Sequence, residues 1–230
     1  MRDSRHNDQA GFTLAELMIV VAILAILASL AVPNLLASGA RANESATIAN
    51  LRSIASAQFR FKAMSLVDRD LSGSYEYGTF TELAGTEPVR TYGDRIRPGL
   101  LGASFGTVDG NGRLNRQGYF YALYLPDAGG VGVSATLANA SVLADPAFSE
   151  IAFSVVAWPA SYGNSGTAAF FVNQEGEILR STTARYSGAA SIPAAGCAMV
   201  GTASPETIIG GRLPRNGEVG SDGNTWRTLQ

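Results

Sequence analysis

The strongest pattern in the chain is an uninterrupted apolar run close to its N-terminus. The run extends from Leu17 to Ala37, reads LMIVVAILAILASLAVPNLLA, and contains no charged residue. At about 1.5 Å of rise per residue, about 20 helical residues cross the roughly 30 Å hydrocarbon layer of a membrane. A core helix of a globular domain rarely needs so many uncharged residues. The pattern therefore predicts a helix that lies in a membrane or in an equally apolar environment.

Apolar residues continue beyond this run with helical spacing. Five of them fall three or four positions apart: Ile48, Leu51, Ala55, Phe59 and Ala63. This spacing predicts one apolar stripe on a second, half-buried helical segment. Pro33 and Gly39 lie between the two segments and are both unfavourable inside a helix. Two alternatives follow: the apolar helix ends near them, or one helix runs from about residue 12 to about residue 65 with a soft, kinked middle.

The second half of the chain has the pattern of β-strands. Segments rich in β-branched and aromatic residues occupy 118–125, 152–158, 167–173, 177–182 and, more briefly, 224–229. The third and fourth segments flank the turn Gln174-Glu175-Gly176 and predict a hairpin. Because no helix is predicted between these strands, the sheet should be antiparallel. The predicted fold class is α+β, with the N-terminal helix packed through its second half on a C-terminal antiparallel sheet.

Two regions rich in glycine and polar residues remain. Residues 68–117 are predicted to form a long connection with short local structure. Residues 183–223 are predicted to form either a surface excursion or a loop that covers the sheet. The aromatic residues of the strands are predicted to be core residues and cross-strand pairs.

The residues that precede the apolar run carry a more specific signal. A short polar segment, MRDSRHNDQAG, is followed by Phe12-Thr13-Leu14-Ala15-Glu16, so that Glu16 lies one position before the run. A carboxylate at the edge of a membrane costs free energy and suggests a functional role and a cationic partner. A cleaved secretory signal, with a site near Ala40-Arg41-Ala42, and a plain membrane anchor are alternatives that leave Glu16 unexplained.

The segment Gly11-Phe12-Thr13-Leu14-Ala15-Glu16 resembles the processing site of type IV prepilins. The resemblance implies that a dedicated peptidase cleaves after Gly11, that the new N-terminus at Phe12 is methylated, and that Glu16 is the assembly glutamate. Pro33 stands where pilins commonly carry a helix-kinking proline. The polar leader is nearly neutral, whereas pilin leaders usually end in a basic stretch.

The resemblance also implies an organisation and a set of partners. Residues 1–11 would be the leader, 12–39 the transmembrane and assembly helix, with a kink at Pro33 and Gly39, and 40–230 the periplasmic or extracellular globular domain. The expected partners are identical subunits in a helical filament, the prepilin peptidase, and the inner-membrane assembly platform with its ATPase. The protein would lie in the bacterial inner membrane before assembly and in a cell-surface or periplasmic filament afterwards. Residues 161–178 also resemble a C-terminal pattern of uncharacterised pilin-like proteins.

Composition excludes several other classes of function. The only histidine, His6, falls in the expected leader, and the only cysteine, Cys197, cannot form an intrachain disulfide. Histidine-dependent catalysis and zinc binding are thereby excluded from the mature chain, and scattered Lys and Arg residues with a net charge of -2 give no sign of nucleic-acid binding. The segment 109–113 fails the calcium-loop pattern, because Arg113 and Leu114 occupy its fifth and sixth positions. We expect no enzyme activity, no cofactor and no metal site.

Three alternatives remain open within these expectations. The chain could be a major pilin, a minor pilin or a type II secretion pseudopilin, and the filament could serve adhesion, motility, DNA uptake or secretion. A membrane-anchored extracytoplasmic binding domain, which would need no cleavage at Gly11, is the alternative from another class.

Overall fold

The computed structural model describes residues 12–215 and 217–229. The predicted leader, including Gly11 and His6, lies outside the described residues. The chain divides into two compact units, the first ending at Gly39 and the second beginning at Ala40.

The first helix, α1, extends from Leu14 to Ala63 and continues through both Pro33 and Gly39. The alternative in which the apolar helix ends near these residues is therefore wrong, and the prediction of one helix from about 12 to 65 is confirmed. Pro33 cannot donate a backbone hydrogen bond to the carbonyl four residues earlier. That carbonyl belongs to Ser29. The nearby side chains of Ser29 and Asn34 donate to other carbonyl oxygens of the helix, those of Ile26 at 2.7 Å and Leu30 at 3.2 Å.

The second unit is built around an antiparallel sheet of seven strands. The strands are β1 (Arg113–Arg116), β2 (Tyr119–Pro126), β3 (Gly132–Ser134), β4 (Ser154–Pro159), β5 (Ala169–Asn173), β6 (Leu179–Ser181) and β7 (Arg227–Thr228). Their order is β1-β2-β4-β5-β6-β7, and β3 also pairs with β2. The predicted strands and the β5–β6 hairpin are confirmed, as is the α+β fold class. The sheet was expected to have no helices between its strands, but two short helices, α3 (Leu137–Val142) and α4 (Pro146–Ile151), lie between β3 and β4.

The region between α1 and the sheet contains a four-residue helix α2 (Phe80–Leu83) and a 3-10 helix (Ala103–Gly106). Both are short, as predicted for residues 68–117. The turn predicted at Asp109 is confirmed: one Asp109 carboxylate oxygen accepts hydrogen bonds from the backbone amides of Asn111 and Arg113, both at 2.9 Å, and β1 starts at Arg113.

Alternate residues of the central strands enter two separate cores. Tyr121, Val155 and Phe170 belong to a core that also contains Leu51 and Phe61 of α1. The opposite face of the sheet forms a second core, which contains Val156, Trp158, Phe171, Cys197 and Trp226. Residues 183–223 thus supply a layer over this second face, so the interpretation as a covering loop is correct. The stacked pair Phe120–Trp158, with ring centroids 5.6 Å apart, confirms that the strand aromatics form cross-strand pairs.

The apolar stripe predicted on α1 is only partly correct. Leu51 and Ala55 are buried, but Phe59 is 43% exposed and Ala63 is also exposed. The reason is geometric: residues four apart advance by about 40° around a helix of 3.6 residues per turn, so the row from Leu51 to Ala63 winds away from the sheet.

The face of α1 that does pack on the core contains two polar residues, Thr47 and Gln58. Both are completely buried. The side-chain amide of Gln58 donates to the Gly78 carbonyl and accepts from the Gly78 amide, each at 2.8 Å. The Thr47 hydroxyl donates to the Asn43 carbonyl at 2.8 Å. Because their polar groups are bonded, these residues can occupy positions that a hydrophobicity pattern assigns to the surface.

Candidate assembly site at the N-terminus

The carboxylate of Glu16 lies at the first turn of α1 and caps it. One Glu16 carboxylate oxygen accepts hydrogen bonds from the Thr13 backbone amide at 2.9 Å and from the Thr13 hydroxyl at 2.8 Å. In return, the Glu16 amide donates to the Thr13 hydroxyl at 3.2 Å. These reciprocal bonds form a capping box, which satisfies amide groups that the first turn of a helix leaves unpaired. The structure therefore holds the Glu16 carboxylate at the N-terminus of the helix, against Thr13.

The surface that follows Glu16 is apolar and uncovered. Between Leu14 and Leu36, the large apolar side chains of α1 are 51–76% exposed, and Phe12 is 93% exposed. The most apolar 18-residue window of the helix has a mean hydropathy of 2.7 and is not buried at all. By length and composition, α1 can cross a membrane. Apolar surface on this scale marks a site that lipid or another protein covers.

The predicted kink residues lie inside the continuous helix. A Cβ atom added at Gly39 would meet nothing within 4 Å, so no close packing requires glycine there. Glycine instead acts through the flexibility of its backbone, which lowers the stability of the helix by about 1 kcal/mol relative to alanine. A kink or a soft segment at Pro33 and Gly39 stays a prediction.

The soft-segment prediction can be tested with Gly39→Ala. Because the added methyl group meets no neighbour, we expect it to stabilise the local helix by about 1 kcal/mol. Amide hydrogen exchange around residues 36–43 should then slow by about fivefold. The matched variant Ala37→Gly, at an exposed position two residues earlier, should accelerate it. Equal exchange rates in the three proteins would contradict a soft segment at this position.

Cys197 is completely buried in the second core, as expected for an apolar filler residue. Burial raises the pKa of the Cys197 thiol well above its usual value. The nearby carboxylate of Asp222 raises this pKa further. The residue is therefore protonated and inert at neutral pH.

The sequence interpretation missed one polar cluster in the second unit. Carboxylate oxygens of Asp68, Asp70 and Glu150 lie within 4.8 Å of one another. The sequence signal that could have revealed part of it is Asp68-Arg69-Asp70-Leu71-Ser72-Gly73, which follows α1 closely. Nothing in the sequence indicates that Glu150, on α4, joins this loop.

The N-terminal residues match a known family model. Residues 6–32 match the prokaryotic N-terminal methylation motif, and the matched range contains Gly11, Phe12 and Glu16. The chain is also 42% identical over 99 residues to the type IV major pilin protein PilA of Myxococcus xanthus. The aligned region covers 42% of this chain and 41% of PilA. The N-terminal region of the chain is thus similar to a type IV pilin.

Two further relatives are a pilus component and a secretion system protein. The chain is 45% identical over 60 residues to the type IV wide pilus major component PilA4 of Thermus thermophilus, covering 26% of this chain and 43% of the relative. It is 40% identical over 58 residues to the type II secretion system core protein G of Klebsiella michiganensis, and the aligned region covers 25% of this chain and 41% of core protein G. The chain thus spans about two fifths of the length of these curated relatives.

Part of the second unit matches a different family model. Residues 97–190 match a family described as protein of unknown function (DUF2950), a range that includes the strands from β1 to β6. No solved structure shows a significant match to the chain.

Proposed function

We propose that this chain is a structural subunit of a type IV pilus-like filament, processed by prepilin peptidase and polymerised through its N-terminal helix. The observation that carries the proposal is the combination at the start of α1: a carboxylate held at the helix terminus by Thr13, directly before a long apolar surface that is uncovered. In a plain membrane anchor Glu16 would only cap the helix, which glutamine could do as well, and its negative charge would have no role.

The proposed assembly chemistry pairs Glu16 with a neighbouring subunit. Cleavage after Gly11 would create an α-amino group on Phe12, which is largely cationic at neutral pH and keeps a positive charge when methylated. When subunits pack side by side through their apolar helices, Glu16 of one can meet Phe12 of the next. A wrong axial offset would leave a charge unpaired in an apolar environment, which is strongly unfavourable. The pair would therefore select the register of the filament.

Each part of the chain would have its own location before and after assembly. Residues 1–11 are the leader, 12–39 the helix that lies in the bacterial inner membrane before assembly and in the filament core afterwards, and 40–230 the globular domain outside the membrane. The partners are identical subunits, prepilin peptidase, and the assembly platform with its ATPase. We propose no catalytic activity for the chain; the relatives are described as pilins and as secretion system core proteins.

N-terminal sequencing of the protein purified from its membranes tests the processing step. We expect a chain that starts at Phe12 and whose first residue is heavier by the mass of one added methyl group. An intact Met1 would instead support a membrane-anchored extracytoplasmic binding domain, and a start near Asn43 would indicate a cleaved secretory signal. Either result would overturn the proposal.

A type II secretion pseudopilin is the second candidate, because core protein G is among the matched relatives. The lone buried Cys197 is compatible with it, since no intrachain disulfide can form. Deleting the gene separates the two roles. Loss of surface filaments in electron micrographs supports a pilin, whereas retention of secreted enzymes in the periplasm with filaments intact supports the pseudopilin.

A further inference from the structure

We propose that Leu71 of one copy of the chain docks on the exposed face of α1 in the second unit of another copy, with Asp70 against the arginines of that face. This contact rests on the proposed filament function. It adds an interface between subunits outside the apolar N-terminal half of α1.

Leu71 protrudes from the loop that follows α1. Among the described residues of the second unit it is the most exposed large apolar side chain, at 87%. Its φ is +60°, a conformation that is disfavoured for a residue with a Cβ atom. The exposed side chain and the disfavoured backbone are both unfavourable in an isolated subunit, which points to a contact that Leu71 makes with another molecule.

Leu71 lies beside other exposed apolar side chains on α3 and α4. Val142 is 79% exposed and Ile151 is 56% exposed. Arg69 and Ser72, on either side of Leu71 in the loop, hold it against both helices: Arg69 donates to a carbonyl of α3 at 3.1 Å and Ser72 to a carboxylate of α4 at 2.7 Å. Apolar surface that several segments share in this way is typical of a protein interaction site.

The exposed face of α1 in the second unit has a shallow groove with basic side chains. The residues that line it are Arg52, Ser53, Ser56, Ala57, Arg60 and Leu100. Arg52 and Arg60 are eight residues apart, which places them about 12 Å from each other along the helix. Within residues 12–215 and 217–229, neither has a carboxylate oxygen within 4.0 Å. The groove therefore presents two uncompensated positive charges beside the apolar Leu100.

The charges favour a second copy of the chain as the occupant of this groove. Asp70 directly precedes Leu71, is exposed, and has no Lys or Arg nitrogen within 4.0 Å in the described part of the chain. When Leu71 enters the groove, the leucine leaves water and the Asp70 carboxylate meets Arg52 or Arg60 of the other copy. Complementary charges of this kind fix the register of an interface and suppress wrong partners. An anionic membrane surface would instead repel Asp70.

Leu71 and the groove lie on different surfaces of the same subunit, since both are exposed. The contact is therefore heterologous: each copy offers its Leu71 to one neighbour and its groove to another. A heterologous contact that does not close into a ring generates an open helical filament. It leaves Glu16 and the apolar half of α1 free for the pairing proposed above.

Cysteine cross-linking of the full-length chain in sheared filaments tests the contact. The double variant Leu71→Cys/Ser56→Cys, treated with a short bismaleimide, should give dimers and a ladder of larger products. Each single variant should stay monomeric, because a heterologous contact brings two different positions together. The native Cys197 is completely buried, so the wild type should not react. The matched control is Leu71→Cys/Ala190→Cys, with the second cysteine at an exposed position of the layer over the second core, and it should give no ladder.

A charge exchange tests the role of Asp70 separately. Asp70→Arg should lower filament yield by about tenfold, because the new arginine faces Arg52 and Arg60 of the neighbour. Adding Arg60→Asp in the same chain should restore most of the yield, which a folding defect of the loop around Asp70 would not allow. The amount of membrane-bound subunit is measured in the same cells.

The outcomes separate this contact from the filament itself. Wild-type cells without filaments would refute the proposed function, and this contact with it. Filaments that form but give no Leu71→Cys/Ser56→Cys ladder, or the same ladder in the Ala190→Cys control, would overturn the contact alone. Cross-linking of Leu71→Cys only to a different protein would also overturn it, as would a charge-exchanged double variant no better than Asp70→Arg.

Discussion

Replacing Glu16 with glutamine is expected to abolish filament growth while leaving membrane insertion unchanged. Glutamine at the third helical position can still accept the Thr13 hydrogen bonds that form the capping box, so the helix terminus is preserved. Only the negative charge is lost. In a packed filament the cationic Phe12 terminus of a neighbour would then be buried without a partner, and we expect filament yield to fall by roughly a hundredfold or more.

The matched control is Thr13→Ala, which removes the capping hydroxyl and keeps the charge of Glu16. It should insert into the membrane and still assemble filaments. Sheared surface filaments are quantified by immunoblot and electron microscopy, and the membrane-bound subunit is quantified in the same cells. Normal filaments from Glu16→Gln would show that the charge has no part in assembly. Loss of filaments in Thr13→Ala alone would mean that capping of the helix, and not pairing between subunits, explains the position of Glu16.

The extent of α1 and the central strands could be predicted because their signals are local and redundant. The uncharged run from Leu17 to Ala37 and the dense β-prone segments at β2, β4 and β5 each contain many residues that favour the same structure. The capping box could also have been predicted, because Thr13 lies three positions before Glu16. The prediction considered only the charge of Glu16.

The remaining structure depends on contacts between residues far apart in the chain. The helices α3 and α4 have six residues each, too short for a periodic pattern, and are instead marked by the N-cap residues Thr136 and Asp145. Gln58 is buried because its partner is the backbone of Gly78, and Glu150 on α4 joins the loop of Asp68 from a distant part of the sequence. Patterns of hydrophobicity contain no information on such pairings.

The segment between α1 and the sheet contains a buried ionic network that sequence reasoning also missed. The Arg90 side chain, 2% exposed, pairs with Glu82 at 3.0 Å and with Glu76 at 3.5 Å, and both carboxylates are fully buried. Arg90 also donates to the backbone carbonyls of Tyr77 at 2.6 Å and Ala140 at 3.1 Å. Glu82 in turn caps α2 by accepting from the Thr79 amide at 2.8 Å. One guanidinium therefore connects α2 to α3 and compensates charges that water cannot reach.

Arg90→Met should therefore destabilise the second unit by about 3–5 kcal/mol, because the aliphatic volume stays while Glu82 loses its counterion inside the core. Adding Glu82→Gln should recover part of the loss, since glutamine still caps α2 and carries no charge. Urea unfolding of the full chain, followed by fluorescence of Trp158 and Trp226, measures both effects. Arg212→Met breaks an exposed pair with Glu218 and should leave the urea midpoint nearly unchanged. Two results would contradict this explanation of Arg90. One is a urea midpoint for Arg90→Met as high as that for Arg212→Met. The other is a double variant, Arg90→Met with Glu82→Gln, that is less stable than Arg90→Met alone.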